Sequence, residues 1–100
     1  MATAVRKLVT IVTEARIERQ LLAAVEAAGA RGWTITDVRG KGSRGVRRAE
    51  FDLSGNLRLE VVCETAVAEA IAASVRERFY ADYAMILYLQ DVEVLRPEKF

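Results

Sequence analysis

The residues best suited to chemistry stand in one run, Arg39-Gly40-Lys41-Gly42-Ser43-Arg44-Gly45-Val46-Arg47-Arg48. Lys41, Ser43, Arg44 and Arg47 can each bind a phosphate oxygen, and glycines at 40, 42 and 45 separate them. Glycine lets a backbone approach a ligand closely and take positive φ. Successive N–H groups in such a turn can form an anion-binding nest. Arginine adds planar, bidentate hydrogen bonds to phosphate that lysine does not match. The run therefore reads as a cradle for the phosphate of a nucleotide, set against the plainer reading of a solvated basic loop. No Walker loop occurs. Gly40, Gly42 and Gly45 have the spacing of a dinucleotide fingerprint, but the residues after Arg47 do not open a helix as that motif requires.

Other chemistries are excluded or weak. There is no histidine, which removes histidine-based triads and histidine-ligated zinc. The single cysteine, Cys63, lies in the apolar run Leu59-Glu60-Val61-Val62-Cys63 and reads as a buried thiol rather than a nucleophile. Acid–base catalysis would fall on Asp37, Glu60 or Asp82, each more simply a surface or hydrogen-bonding carboxylate. No metal site and no enzyme are expected. Net charge is only +1, yet five of the fifteen Lys and Arg residues fall between 39 and 48. That argues against bulk electrostatic binding of nucleic acid and for a local site.

The positioning elements follow from periodicity. Lys7–Thr13 is a β-branched run apolar on both faces, as a central strand requires. A helix from Glu14 or Arg16 to Ala28 repeats Ile17, Leu21, Leu22, Val25 and Ala28 on one face, with Thr13 as its N-cap and Gly29 as its stop. Trp33–Val38 alternates as a second strand. The connection over 39–56 includes Phe51 and Leu53 between acids, which could extend as strand arms, and ends at the turn Ser54-Gly55-Asn56. Leu57–Cys63 is a third strand. A second helix from Thr65, as N-cap, to Tyr80 repeats Val67, Ile71, Val75 and Phe79. Met85–Leu89, continuing through Leu95, is the last strand, ended by Pro97.

The order β-α-β-β-α-β in one domain, 1–100, is the ferredoxin-like α+β arrangement, an antiparallel sheet with both helices on one face. The second face carries too many apolar residues to be wholly solvated, so a symmetric oligomer is expected. No signal peptide or membrane span is visible, and a cytoplasmic location is expected. A connection of about fifteen residues between the second and third long strands is functional or mobile in a domain this small.

With that topology, the segment Gly40-Lys41-Gly42-Ser43-Arg44-Gly45-Val46-Arg47, together with Lys7–Glu14, Gly32–Asp37 and Phe79–Ala84, resembles the PII-like signalling proteins. The likeness is nearest to their carbon-regulatory branch, the SbtB type and the carboxysome-associated PII proteins. The resemblance implies a homotrimer that binds AMP, ADP, ATP or cyclic AMP in clefts between subunits, with bicarbonate as a further ligand. It places Gly40, Lys41, Gly42, Ser43, Arg44 and Arg47 at phosphate, and Thr36 and Asp37 near the base or ribose. It makes Tyr83, Ala84, Met85 and Ile86 a segment of main-chain contacts. The long connection becomes an effector loop whose tip, Glu50-Phe51-Asp52-Leu53, meets a partner. That partner would be a membrane bicarbonate transporter, which would draw the protein to the membrane surface, or a carboxysome-associated protein. The chain departs from the family at Asp82-Tyr83-Ala84-Met85-Ile86, which replaces a G-D-G-K-type segment, and Met85 stands where relatives tend to have glycine. The competing reading is a ferredoxin-like RNA-binding or protein-interaction domain. Trp33, Phe51 and the arginines favour it, and the strands' lack of an aromatic-rich RNA-binding pattern opposes it.

Overall fold

A computed structural model describes residues 3–42, 45–47 and 55–100. Six strands and two α-helices follow one another: β1 (Ala4–Glu14), α1 (Glu18–Ala27), β2 (Thr34–Val38), β3 (Gly40–Gly42), β4 (Gly45–Arg47), β5 (Asn56–Cys63), α2 (Thr65–Phe79) and β6 (Met85–Val94). The main sheet has the order β2-β5-β1-β6, and every neighbouring pair is antiparallel. β1 and β2 are thus parallel with β5 between them, and β5 and β6 are parallel with β1 between them. Each such pair needs a crossover, which α1 and α2 supply; right-handed crossovers put both helices on the same face. This is the ferredoxin-like arrangement expected from the sequence.

Alternation decides which residues meet the helices. Val9, Ile11 and Thr13 of β1 and Leu57, Leu59, Val61 and Cys63 of β5 are buried beneath Leu21, Ala24 and Val25 of α1 and Ala68, Ile71, Val75 and Phe79 of α2. Burying each large aliphatic side chain of this set contributes about 1.5–3 kcal/mol. The exposed Lys7–Asp91 pair at 2.6 Å contributes at most about 1 kcal/mol, so packing rather than surface charge holds the sheet. Cys63 is a free, buried thiol whose pKa burial pushes up, which keeps it protonated and inert. Among the described residues no helix is long and apolar enough to cross a membrane.

The helix ends correct two expectations. Thr13 does not cap α1: β1 runs on to Glu14, a 3-10 turn over Ala15–Ile17 follows, and the Thr13 hydroxyl donates instead to the Ala84 carbonyl at 2.9 Å. Thr65 is the first residue of α2, and the cap position belongs to Glu64. Gly29 does end α1, and in full Schellman form. Its N–H donates to the Glu26 carbonyl at 3.0 Å, the Ala30 N–H to the Val25 carbonyl at 3.2 Å, and its φ is +111°. A Cβ at Gly29 would also come within 3.3 Å of Val67 Cγ2 on α2. Gly29→Ala is therefore expected to lower unfolding free energy by about 1–3 kcal/mol, read as a lower urea midpoint at unchanged slope. A midpoint equal to wild type would show that the turn tolerates a side chain.

Candidate functional site

The sheet face away from the helices is where a ligand can reach β-strand side chains. Leu8, Thr10 and Val12 of β1, Arg58, Glu60 and Val62 of β5, and Thr34 and Thr36 of β2 share it, because cross-strand partners project to the same side. At one end of this face lies a hollow of about 540 Å³, within the usual range for small-molecule sites. Leu8 and Val62 give it an apolar lining, Thr34 and Glu60 a hydroxyl and a carboxylate, and Trp33 an aromatic wall. Arg31, Lys99 and Phe100 also border it. An apolar lining with an aromatic side chain and a few hydrogen-bonding groups suits a flat, heteroatom-rich ring.

Along the same face, Arg58 stands opposite Thr36, next in line after the Glu60–Thr34 pair. Its Nε is shut off from solvent without a hydrogen bond, and Glu60 Oε1 is 3.9 Å away. The rest of the Arg58 side chain is partly exposed on the open face beside the Glu60 carboxylate. β2 then leads directly into the basic glycine segment. There, β3 and β4 form their own antiparallel ladder, with Gly40 opposite Arg47, Lys41 opposite Val46 and Gly42 opposite Gly45. The described strand pairing of the connection thus lies within the basic glycine run itself. The arms expected around Phe51 and Leu53 fall outside the described residues, as do Ser43, Arg44 and the whole tip Glu50-Phe51-Asp52-Leu53. Gly40 is not held at positive φ, and a Cβ there would meet nothing within 4 Å. Its glycine is thus not required by local backbone strain. Gly45–Arg47 is a strand, and the residues after Arg47, where the dinucleotide fingerprint would open a helix, lie outside the described residues.

The remaining candidates separate by face. Thr36 is exposed on the open face, whereas Asp37 pairs with Leu57 and so lies on the helix side. Ala84 has both main-chain groups occupied: Glu14 Oε2 accepts its N–H at 3.1 Å, and Thr13 donates to its carbonyl. Glu14 Oε1 also accepts from Arg16 Nε at 2.8 Å, and the Arg16 guanidinium lies 5.2 Å from the Tyr83 ring centroid. Tyr83 in turn packs on Phe79 with centroids 6.1 Å apart. The turn between α2 and β6 is thereby pinned to the end of β1, and its Ala84 amide is not offered to solvent. Met85 packs against the core, so its side chain does not crowd the open face, while Ile86 is about half exposed there. Among the described residues no group of three His, Cys, Asp or Glu side chains could hold a metal ion.

Sequence reasoning passed over Leu8, Trp33, Thr34, Arg58 and Val62 as site residues and treated Glu60 only as a weak catalytic carboxylate. The signal that could have found them is the alternation Arg58-Glu60-Val62 against the buried Leu57-Leu59-Val61. It marks which residues of the third long strand must face away from the helices.

Comparison with known proteins agrees with this architecture over the whole chain. A PII-like signalling protein of Thermus thermophilus is 41% identical, covering 100% of this chain and 99% of its own, with a TM-score of 0.86. CPII of Thiomonas intermedia, a nitrogen regulatory PII-like protein solved with ADP, AMP and bicarbonate, is 19% identical and covers 99% and 96% of the two chains at a TM-score of 0.90. GlnK of Bacillus subtilis shares the fold at 16% identity and a TM-score of 0.68, covering 97% and 100%. The family model for nitrogen regulatory protein P-II matches residues 6–99, and the chain belongs to that family.

Proposed function

We propose that this protein is a nonenzymatic sensor of adenine nucleotides that works as a homotrimer. The observation that carries the reading is the continuity of one strand. β2 begins at the apolar, aromatic hollow and ends at the glycine-basic ladder, with Thr36 and Arg58 between. Five residues of strand span roughly 17 Å. An extended nucleotide and one long basic side chain bridge that distance. The base sits in the hollow against Trp33, Leu8 and Val62, with Glu60 accepting from its exocyclic amino group. The ribose and first phosphate pass Thr36 and Arg58. Lys41, Ser43, Arg44 and Arg47 take the terminal phosphate. Ile86 borders the site from β6, and the neighbouring subunit closes it.

Ligand state then sets the arrangement of the 39–56 connection, because a nucleotide that contacts the connection binds its arrangements with different affinity. The tip Glu50-Phe51-Asp52-Leu53 engages a partner protein in one arrangement and releases it in another. The binding of ADP, AMP and bicarbonate by CPII supports bicarbonate as a co-ligand here and control of inorganic carbon uptake or carboxysome-linked metabolism as the output. The partner is then a bicarbonate transporter or a carboxysome-associated protein, met from the cytoplasmic side. An RNA-binding role is disfavoured by the open face itself: its central strands present Leu8, Thr10, Val12, Arg58, Glu60 and Val62, with no aromatic platform for stacked bases.

Titration calorimetry against AMP, ADP, ATP and cyclic AMP, with and without bicarbonate, tests the sensor. One site per subunit is expected. Arg44→Ala and Arg47→Ala should each weaken binding about tenfold or more while the oligomer stays intact, the scale of one charge-assisted contact. Normal affinity in both variants would remove the phosphate assignment.

The oligomer has its own test. Tyr88 and Ile86 are 45% and 48% exposed on the open face, in line with the half-buried Val12 and with Thr10. Apolar surface gathered on one face is the mark of a contact region. Sedimentation equilibrium should return three times the 11.1 kDa chain mass for the wild type, and a smaller species for Tyr88→Arg. A wild-type chain sedimenting at 11.1 kDa at micromolar concentration would overturn the trimer.

A further inference from the structure

Beyond β6 the chain doubles back as a 3-10 turn, Pro97–Lys99, closed by Lys99 N–H to the Arg96 carbonyl and Phe100 N–H to the Pro97 carbonyl, both at 3.1 Å. Two arginines distant in sequence meet this turn, and both address its main chain. Arg6 Nη2 donates to the Pro97 carbonyl at 3.3 Å, across 91 residues, and Arg31 Nη1 donates to the Glu98 carbonyl at 3.2 Å, across 67. The Glu98 side chain takes no part in this, since its carboxylate lies toward Arg96 at 3.7 Å on the surface. The Arg6 guanidinium is further fixed by the Val5 carbonyl, to which its Nη1 donates, while its Nε is buried without a partner. The consequence of the two contacts is that Lys99 and Phe100 stand on the border of the hollow with Trp33.

We infer that Arg31 and Arg6 are positioning residues that clip the Pro97–Phe100 turn in place, so that Phe100 forms a second aromatic wall of the hollow. The turn is a wall and not a plug, because about 540 Å³ stays open with it in place. Its role in ligand binding rests on the reading that the hollow takes the adenine base. The clips themselves do not depend on that reading. Clipping through carbonyls makes the placement independent of the side chains at 97 and 98. It also makes Arg31 matter to a ligand that it need not touch.

Trp33 is the chain's single tryptophan, so its emission reports the hollow directly. In the full-length protein without nucleotide, Arg31→Met and Phe100→Ala should each shift Trp33 emission to the red and steepen acrylamide quenching. Arg31→Lys should retain most of the wild-type signal, and Glu98→Gln all of it. Arg31→Met should weaken ADP binding about tenfold, the scale of one charge-assisted hydrogen bond, and Phe100→Ala should do likewise. The double variant should bind ADP no more weakly than Phe100→Ala alone, because residues acting through one contact are not additive. Unchanged quenching in Arg31→Met would overturn the clip. Multiplying losses in the double variant would overturn it too, since Arg31 would then touch the nucleotide itself. A wild-type protein that binds no adenine nucleotide, yet shows the quenching differences, would sink the adenine reading and leave the clip standing.

Discussion

The handedness of two crossovers governs this molecule. β1 to β2 and β5 to β6 are parallel pairs separated by one strand, and a right-handed return through α1 and α2 lands both helices on one side. Among the described residues, the large buried aliphatic side chains are gathered there. The opposite face carries Thr34, Thr36, Arg58, Glu60, Leu8 and Val62, and among the described residues no third layer covers it. Side chains that in a three-layer fold would be packed away are free here to meet a ligand or another copy of the chain.

The same constraint leaves the hollow and the basic glycine segment differently built. The hollow is framed by β1, β5 and the start of β2, strands tied by continuous ladders. The basic glycine segment has a ladder of only three residue pairs, separate from the main sheet. A ring held by packing needs a fixed shape. A phosphate held by charge-assisted hydrogen bonds tolerates a segment that rearranges around it. In the sensor proposed above, the main sheet would supply affinity and the 39–56 connection the response.

Much of the fold is legible in the sequence because the periodic runs are long and the physics is local. Val67, Ile71, Val75 and Phe79 mark α2, and Gly29 marks the end of α1 by a conformation that side chains resist. The errors lie where a residue's partner is far along the chain. Thr13 has the right type and place for a helix cap, yet its hydroxyl serves Ala84, 71 residues away. Thr36 and Asp37, adjacent in sequence, are proposed for one site, and only the strand pairing shows that their side chains lie on opposite faces. The hollow is harder still to read, because Leu8, Trp33, Glu60 and Phe100 are drawn from both ends and the middle of the chain. The basic glycine run is visible because it is contiguous, whereas the hollow exists only after folding.

Glu14 shows how the pinned turn at Ala84 bears on the family resemblance. A glycine-rich segment before the last strand can offer free N–H groups to a ligand. In this chain the corresponding amide of Ala84 is spent on the Glu14 carboxylate, which Arg16 holds from its other oxygen. The turn is thus fixed by β1 rather than left for phosphate to order. In the function proposed above, phosphate recognition then falls chiefly to the 39–48 segment, with Arg58 beside Thr36 on the open face. Under that proposal, Tyr83-Ala84-Met85 in place of a glycine-rich turn moves the burden of anion binding from main-chain donors to guanidinium groups. Guanidinium groups on long side chains can follow a ligand of variable phosphate number better than a rigid amide nest can. This accords with a site that distinguishes nucleotides by how they arrange a loop rather than by a fixed triphosphate pocket.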